Sequence, residues 1–238
     1  MNATDQQRGK HLLARVLIEW PLKFTPEGFG ESQSIETITM TIRFLSATFT
    51  GINPLLQNNP QTVDRFNPYA RAMKKINDKK TRRTDDDYLE LKNIEVRSKI
   101  YWDDDMGIYI PANWVTAAIA ANSFKSVKIS KADVRSAVFV DGDKLKLTYR
   151  DMDKVKSPDD IVLNDGFRLD MTLKQGQVRV VKSIPIFHNW SFATDLEYDD
   201  EVIDAESMST IINKVAKYGG FGDFRPTFGR ATVEIRHE

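Results

Sequence analysis

Apolar and polar residues alternate with a period of two along much of the chain, a pattern typical of half-buried β-strands. The first such stretch runs from residue 38 to Gly51, where we expect a core strand. An Asp141-Gly142 pair between two alternating runs predicts a tight hairpin, because Asp-Gly favours the type I′ turn. The same pattern predicts further strands at residues 94–102, 108–110, 134–140, 145–149, 167–173, 178–187, 190–196 and 230–236.

Three stretches carry helix signals instead. Asn67 followed by Pro68 predicts a short helix, since Asn caps a first turn and Pro is favoured just inside it. An alanine-rich run at residues 112–124 has apolar residues at helical spacing. A third helix is predicted for residues 205–218, with an aspartate as its N-cap. The polar stretch at residues 152–164 is expected to be a loop.

These elements predict one α+β domain over residues 35–238, with a basic insertion at residues 64–87. Residues 1–34 are expected to form a leader or arm in front of it. The leader carries apolar residues and then prolines and glycines, which fits a short helix, a strand or an arm that reaches a neighbouring subunit. The residues favour none of the three.

The composition is that of a soluble globular protein, with 41% of the 238 residues hydrophobic and 29% charged. The 34 basic and 34 acidic residues give a net charge of zero, so binding to nucleic acid would require a local cluster of basic residues. The absence of cysteine excludes disulfides, thiolate metal sites and a cysteine nucleophile. No apolar run approaches the ~18 residues of a membrane span, and the polar start does not fit a signal peptide. We therefore expect a cytoplasmic protein with no membrane partner.

A local patch of this kind lies at residues 65–83, which carry eight basic side chains against one acid, Asp78, and hence a charge of +7. Such a concentration is the footprint of phosphate contacts. The alternative is a solvated loop whose charge is balanced by the three aspartates at residues 85–87. The predicted nucleic-acid-binding residues of the segment are Arg65, Tyr69, Arg71, Lys74, Lys75, Lys79, Lys80, Arg82 and Arg83.

The ending from residue 217 to residue 230 combines four glycines, three phenylalanines and two arginines. One interpretation is a helix stop at the paired glycines, followed by a turn at the proline. The other adds nucleic-acid binding, in which the glycines let a second backbone approach. In that interpretation Arg225 and Arg230 hold the strand, and Phe224 stacks a base.

Signals for catalysis are weak. No pattern pairs His11, His188 or His237 with a second acid or base, as general acid–base catalysis requires. The aspartates at residues 103–105 belong to a turn and lack the spacing of a calcium-binding loop. Phosphate-binding loops and nucleophile elbows are also absent from the sequence. We predict no catalytic residue, no cofactor and no metal site.

Three segments together resemble the RAMP superfamily, the ferredoxin-like RNA-binding proteins that include the backbone subunits of CRISPR surveillance complexes. Residues 108–115 are similar to its strand-to-helix step, and residues 219–230 to its glycine-rich loop before a final strand. Gly51, followed by Asn53-Pro54-Leu55, matches the position of a short Pro-Leu element. The chain also resembles bacteriophage proteins of similar length that carry the same Gly-Asp-Phe-Arg-Pro ending.

The resemblance implies a ferredoxin-like or RRM-like antiparallel sheet with helices on one face, elaborated by hairpin and loop insertions. It further implies sequence-nonspecific binding of single-stranded RNA or DNA, with side-by-side assembly into a homo-oligomer or filament. An alternative is a phage protein-interaction module, an anti-defence factor that mimics or docks on a CRISPR or other host subunit through its acidic stretches at residues 103–105 and 199–201. A third possibility is a metal-dependent ribonuclease. The resemblance implies one loop aspartate that acts with a metal ion, and Asp64 is the candidate by its position.

Overall fold

The structure, a computed structural model, describes residues 41–237. The predicted leader and the first residues of the strand predicted from residue 38 lie outside the described residues. The strands are β1 (Ile42–Gly51), β2 (Leu55–Leu56), β3 (Trp102–Asp103), β4 (Gly107–Pro111), β5 (Val138–Val140), β6 (Lys144–Lys146), β7 (Arg168–Gln175), β8 (Val178–Phe187), β9 (Ser191–Asp199) and β10 (Ala231–His237). The α-helices are α1 (Pro68–Asn77), α2 (Asp85–Lys99), α3 (Asn113–Val127), α4 (Lys131–Ala137), α5 (Pro158–Val162) and α6 (Ala205–Lys214).

The largest sheet has four strands in the order β10-β1-β9-β5, and every neighbouring pair is antiparallel. Taken along the chain, β1, α3, β5, β9, α6 and β10 form a βαββαβ succession, which is the ferredoxin-like arrangement. The predicted α+β class with an antiparallel sheet is therefore confirmed. Two smaller three-stranded sheets, β2-β8-β7 and β3-β4-β6, are built from the insertions that interrupt this succession.

The core lies between the main sheet and the helix pair α3 and α6. Along β1, Leu45, Ala47 and Phe49 are each 1% exposed, whereas the residues between them face outward. Ile119 of α3 and Ile211 of α6 are buried in the same cluster. Helices thus cover one face of the main sheet, and among residues 41–237 no helix covers the other, which we call the open face.

Two helices, α1 and α6, begin where the sequence predicts, and a side chain caps the first turn of each. The Asn67 side chain accepts a hydrogen bond from the amide of Tyr69, so α1 begins at Pro68 as predicted. The Asp204 side chain caps α6 through the amide of Ser207. A π-helical turn, Val215–Gly219, continues α6, and Gly220 ends it with a φ of +71°.

The strand predicted at residues 94–102 is wrong, because most of this stretch belongs to helix α2. A capping box starts the helix: Asp87 donates its amide to the Thr84 hydroxyl, and the Asp87 carboxylate accepts from the Thr84 amide. Glu95, which a half-buried strand would turn to solvent because it alternates with Ile94 and Val96, is buried in the helix. The apparent alternation therefore came from polar side chains that have partners inside the protein.

Glu95 is held by β8, and this contact fixes α2 on the second sheet. Its carboxylate pairs with the Lys182 ammonium at 2.7 Å and accepts from the Ser183 amide at 2.9 Å. On the next helical turn, Lys99 donates to the Ser183 carbonyl at 2.6 Å. Burial lowers the pKa of Lys99. These bonds satisfy groups that would otherwise be costly to bury.

The hairpin predicted around Asp141-Gly142 is also wrong, although a turn exists there. Gly142 has a φ of +76°, but the strands on either side diverge, since β5 pairs with β9 and β6 pairs with β4. Most of the strand predicted at residues 134–140 is helix α4, which Ser130 caps. Within the stretch predicted as loop, residues 152–164, helix α5 begins at Pro158 behind a capping box of its own.

Candidate nucleic-acid interface

Helix α1 presents the basic segment on its outer side. Ile76 is the buried residue of the helix, and Tyr69 and Met73 are half-buried, while α1 packs against α2. Arg71, Lys74 and Lys75 are exposed. A short 3-10 turn, Lys80–Arg82, carries the exposed basic residues across to the start of α2.

Two of the eight basic side chains are held by carboxylates of the same region. Lys74 pairs with Asp78 at 2.6 Å, one turn along α1. Lys79 pairs with Asp87, and the hydrogen bond from Lys79 holds the pKa of this buried carboxyl below its ordinary value. Six of the eight therefore form no ion pair with a described residue: Arg65, Arg71, Lys75, Lys80, Arg82 and Arg83.

Two exposed aromatic rings lie among these cations. The Phe66 side chain is 59% exposed, and the guanidinium carbons of Arg65 and Arg71 lie 4.7 and 5.5 Å from its ring centroid. Tyr88, at the start of α2, is 49% exposed, with Arg83 at 5.4 Å from its ring centroid. These three contacts place cations next to stacking surfaces, the combination that binds single-stranded nucleic acid.

The sequence predicted Tyr69 as the aromatic binding residue of this segment, and it did not predict Phe66 or Tyr88. Tyr69 lies on the half-buried side of α1 and offers less of its ring. The adjacency of Arg65 and Phe66 was a usable signal for the first ring. No sequence signal indicated Tyr88. Its ring lies beside Arg83 because Thr84 caps helix α2 between them, and this cap was not predicted.

The glycine-rich loop closes on the chain itself. A Cβ at Gly229 would overlap the carbonyl oxygen of Phe221, and one at Gly222 would overlap that of Leu56. The amide of Phe221 donates to the Gly229 carbonyl, and the amide of Gly229 donates to Pro54, both at 2.8 Å. The backbone segments that approach these glycines closely thus belong to the protein itself. Their presence explains the glycines without a bound nucleic-acid strand.

The three predicted binding residues of this loop differ in their accessibility. Phe224 is half-buried and packs against a small apolar cluster that contains Leu56 and Ile184. Arg225 is exposed, next to a cis peptide bond to Pro226. Arg230 is half-buried, and its amide donates to Asn53 at 2.7 Å. Among them, Arg225 is the side chain most available to a ligand.

Residues 41–237 show no hydrogen bond, ion pair or cation–π contact between α1 and the glycine-rich loop. The closest described link is indirect: Asn58, between β2 and α1, donates to Asp223 at 2.8 Å. The structure therefore brings together the basic residues of α1 and its following turn, and it does not add Arg225 or Arg230 to that group.

The acidic residues considered for metal chemistry serve turns and caps. Asp64 accepts from the amide of Phe66 at 2.8 Å. Asp103 accepts from Lys144 at 2.6 Å, and this bond lowers the pKa of its carboxyl. Among the residues that the structure describes, no three His, Asp or Glu side chains are grouped so as to hold a metal ion.

His188 lines a small cavity of about 50 Å³ together with Arg150, Asp151 and Phe167. Burial and, to a lesser extent, the Arg150 charge lower the pKa of its imidazole below 6.5. The unfolded chain therefore binds this proton at a higher pH than the folded protein does. It follows that the contribution of His188 to stability is present above pH ~6.5 and is lost as pH falls through the folded pKa.

We expect the His188→Gln variant to show a shallower loss of stability than the wild type between pH 7.5 and 5.5. Urea unfolding at both pH values measures the change, which for a single group is at most about 1.4 kcal/mol per pH unit. Titration of the His188 ring by NMR should give a pKa below 6.5. Parallel pH profiles for the two proteins, or a pKa above that value, would contradict the expectation.

None of the helices within residues 41–237 is long and apolar enough to cross a membrane. No protein-family model matches the sequence, and no curated protein is significantly similar to it.

Proposed function

We propose that the protein binds single-stranded RNA or DNA without base specificity, through the basic face of α1 and the turn that follows it. One observation supports the proposal: six basic side chains form no ion pair with a described residue, and three of them, Arg65, Arg71 and Arg83, lie against two exposed rings. The cations track phosphates, and Phe66 and Tyr88 stack bases, which makes binding tolerant of sequence.

Counterion release makes such binding depend strongly on salt. For single strands, the logarithm of the binding constant falls by about 0.7 per phosphate contact for each tenfold rise in salt. Six contacts thus give a slope of about −4. The slope depends on the number of local phosphate contacts and not on the net charge of the protein. A protein with zero net charge therefore shows this slope when its contacting residues are clustered, as we propose for α1.

The ferredoxin-like order of the main sheet supports the proposed kinship with the RAMP superfamily, whose members share that fold. Side-by-side assembly into a filament is a further part of the proposal and rests on that kinship. A fold alone does not supply a function, so the charge pattern of α1 remains the argument for nucleic-acid binding.

The test is fluorescence anisotropy with labelled single-stranded RNA and DNA at several salt concentrations. We expect the wild type to bind both, and a variant with Arg65, Arg71, Lys75, Lys80, Arg82 and Arg83 changed to Gln to lose at least about 100-fold in affinity at low salt. The matched control changes six exposed basic residues elsewhere to Gln, namely Lys125, Lys131, Lys146, Lys174, Arg179 and Lys217. It carries the same change in net charge.

Retention of most binding by the control would place the contacts on α1 and its following turn. An equal loss in the two variants would mean that overall charge drives binding, and the proposed site would be wrong. If the wild type binds neither strand at low salt, the proposed function itself is wrong.

A further inference from the structure

The open face of the main sheet carries a groove of about 470 Å³ on the side away from α3 and α6. Strands β1, β9 and β5 lie next to one another there, and each contributes outward-facing residues to its walls. The side chains used below are Phe44, Ser46, Phe139, Asp141, Asp195 and Glu197.

Two phenyl rings flank one carboxylate in this groove. Phe44 of β1 and Phe139 of β5 are both register partners of Glu197, which lies on β9 between them. The phenylalanines are 49% and 51% exposed, although each is large and apolar. Two half-exposed rings in one groove form an apolar surface that another molecule can cover.

The remaining polar groups of the groove are acidic. Asp195 accepts a hydrogen bond from the Ser46 hydroxyl at 2.6 Å. Asp141 follows Phe139 by two residues, and its amide donates to the Asp195 carbonyl at 2.9 Å. Within residues 41–237, no Lys or Arg forms an ion pair with Asp141, Asp195 or Glu197. Three carboxylates that form no ion pair with a described residue repel phosphate, so these residues have the opposite charge preference to the basic residues of α1.

We propose that the groove is a docking site for an arginine-bearing segment of a partner protein, with a guanidinium group between the two rings and against Glu197. The faces of Phe44 and Phe139 attract a cation through their ring quadrupoles, while the carboxylates supply the opposite charge. Charge complementarity therefore selects a cationic occupant, and the rings select one with a flat, weakly hydrated head group.

Arginine fits this description better than lysine does. A guanidinium group is planar, stacks on aromatic rings and forms paired hydrogen bonds to a carboxylate, whereas an ammonium group is compact and strongly hydrated. The protein already contains the pairing at another place, since two guanidinium groups lie over the ring of Phe66. The inference is independent of nucleic-acid binding, because it concerns other residues and the opposite charge.

The probe is a fluorescein-labelled peptide with three arginines spaced by glycine, compared with its citrulline counterpart, which has the same shape without the charge. We expect the full-length wild type to bind the arginine peptide at least about tenfold more tightly, or ~1.4 kcal/mol. Phe139→Leu keeps the apolar bulk and removes the ring, so it should weaken binding by about two- to fivefold.

A variant with Asp141→Asn, Asp195→Asn and Glu197→Gln should lose about tenfold or more in affinity for the arginine peptide. The control Glu234→Gln removes one charge from β10 on the same sheet, outside the groove, and should change affinity less than about twofold. Thermal unfolding of each variant checks that the fold is intact.

Failure of the wild type to prefer the arginine peptide would overturn the proposal. So would a control that loses as much affinity as the groove variant, since binding would then follow general acidity. Sedimentation velocity tests a different occupant: if the wild type is an oligomer and the groove variant is a monomer, a second copy fills the groove and the proposed partner is wrong.

Discussion

The Gly229→Ala variant is expected to lose about 4 kcal/mol or more of its free energy of unfolding. The residue has a φ of +75°, a conformation that costs an L-residue about 1–2 kcal/mol. The added Cβ would also overlap the carbonyl oxygen of Phe221, which is backbone and cannot rotate away. Relief of the overlap breaks the hydrogen bonds from Phe221 to Gly229 and from Gly229 to Pro54. Urea unfolding followed by circular dichroism measures the loss.

Gly142→Ala is the matched control for this prediction. Gly142 has nearly the same φ, +76°, but nothing lies within 4 Å of a Cβ placed there. We expect this control to lose about 1–2 kcal/mol, the cost of the backbone conformation alone. The difference between the two variants is the contribution of the close approach in the glycine-rich loop. Equal losses would show that the loop does not close on Phe221 as described.

The Phe221→Ala variant is expected to lose about 3–5 kcal/mol, for a different reason. The ring is 0% exposed and lies within 4.8 Å of Phe49, 5.1 Å of Phe192 and 6.4 Å of Trp190, measured between ring centroids. Alanine would leave a cavity in this aromatic cluster and remove its edge-to-face contacts. Urea unfolding measures the loss in the free energy of unfolding.

Phe124→Ala serves as the control for the aromatic cluster. Phe124 is 59% exposed at the end of α3, so its removal should cost less than about 1 kcal/mol. A loss for Phe221→Ala that is no larger than this would mean that the glycine-rich loop does not anchor on the main core.

The elements predicted correctly from the sequence are those with local signals. The caps at Asn67 and Asp204 were recognisable because each side chain binds an amide two or three residues ahead. Strands β7 and β8 match the two alternating runs predicted at residues 167–173 and 178–187, and Gly176 between them has a φ of +61°. In each case the interactions that decide the structure lie within a few residues.

The errors have a common physical origin in distant partners. Glu95 was expected to face solvent, but its carboxylate is satisfied by β8, 87 residues farther along the chain. The strands on either side of Gly142 alternate as a hairpin would, but each has a better partner elsewhere, in β9 or β4. An alternating pattern of apolar and polar residues predicts a strand, but it does not specify which other strand pairs with it in the sheet.

The same distinction applies to the two candidate sites. The basic face of α1 was predictable, because its charges are contiguous in sequence and a capped helix turns them outward. The groove on the open sheet was not, since Phe44, Phe139 and Glu197 come from three distant strands and meet through sheet pairing alone.

The place of β1 in the main sheet has a consequence for synthesis. Its neighbours are β9 and β10, and Ser46 meets Asp195 149 residues later, while Thr50 meets Thr232 after 182 residues. At a translation rate of about 5–20 residues per second, a nascent β1 waits roughly 10–40 s for its last partner to leave the ribosome. During that interval the apolar side of β1 has neither of its sheet neighbours, so it is exposed to aggregation or chaperone binding until β9 and β10 have been made.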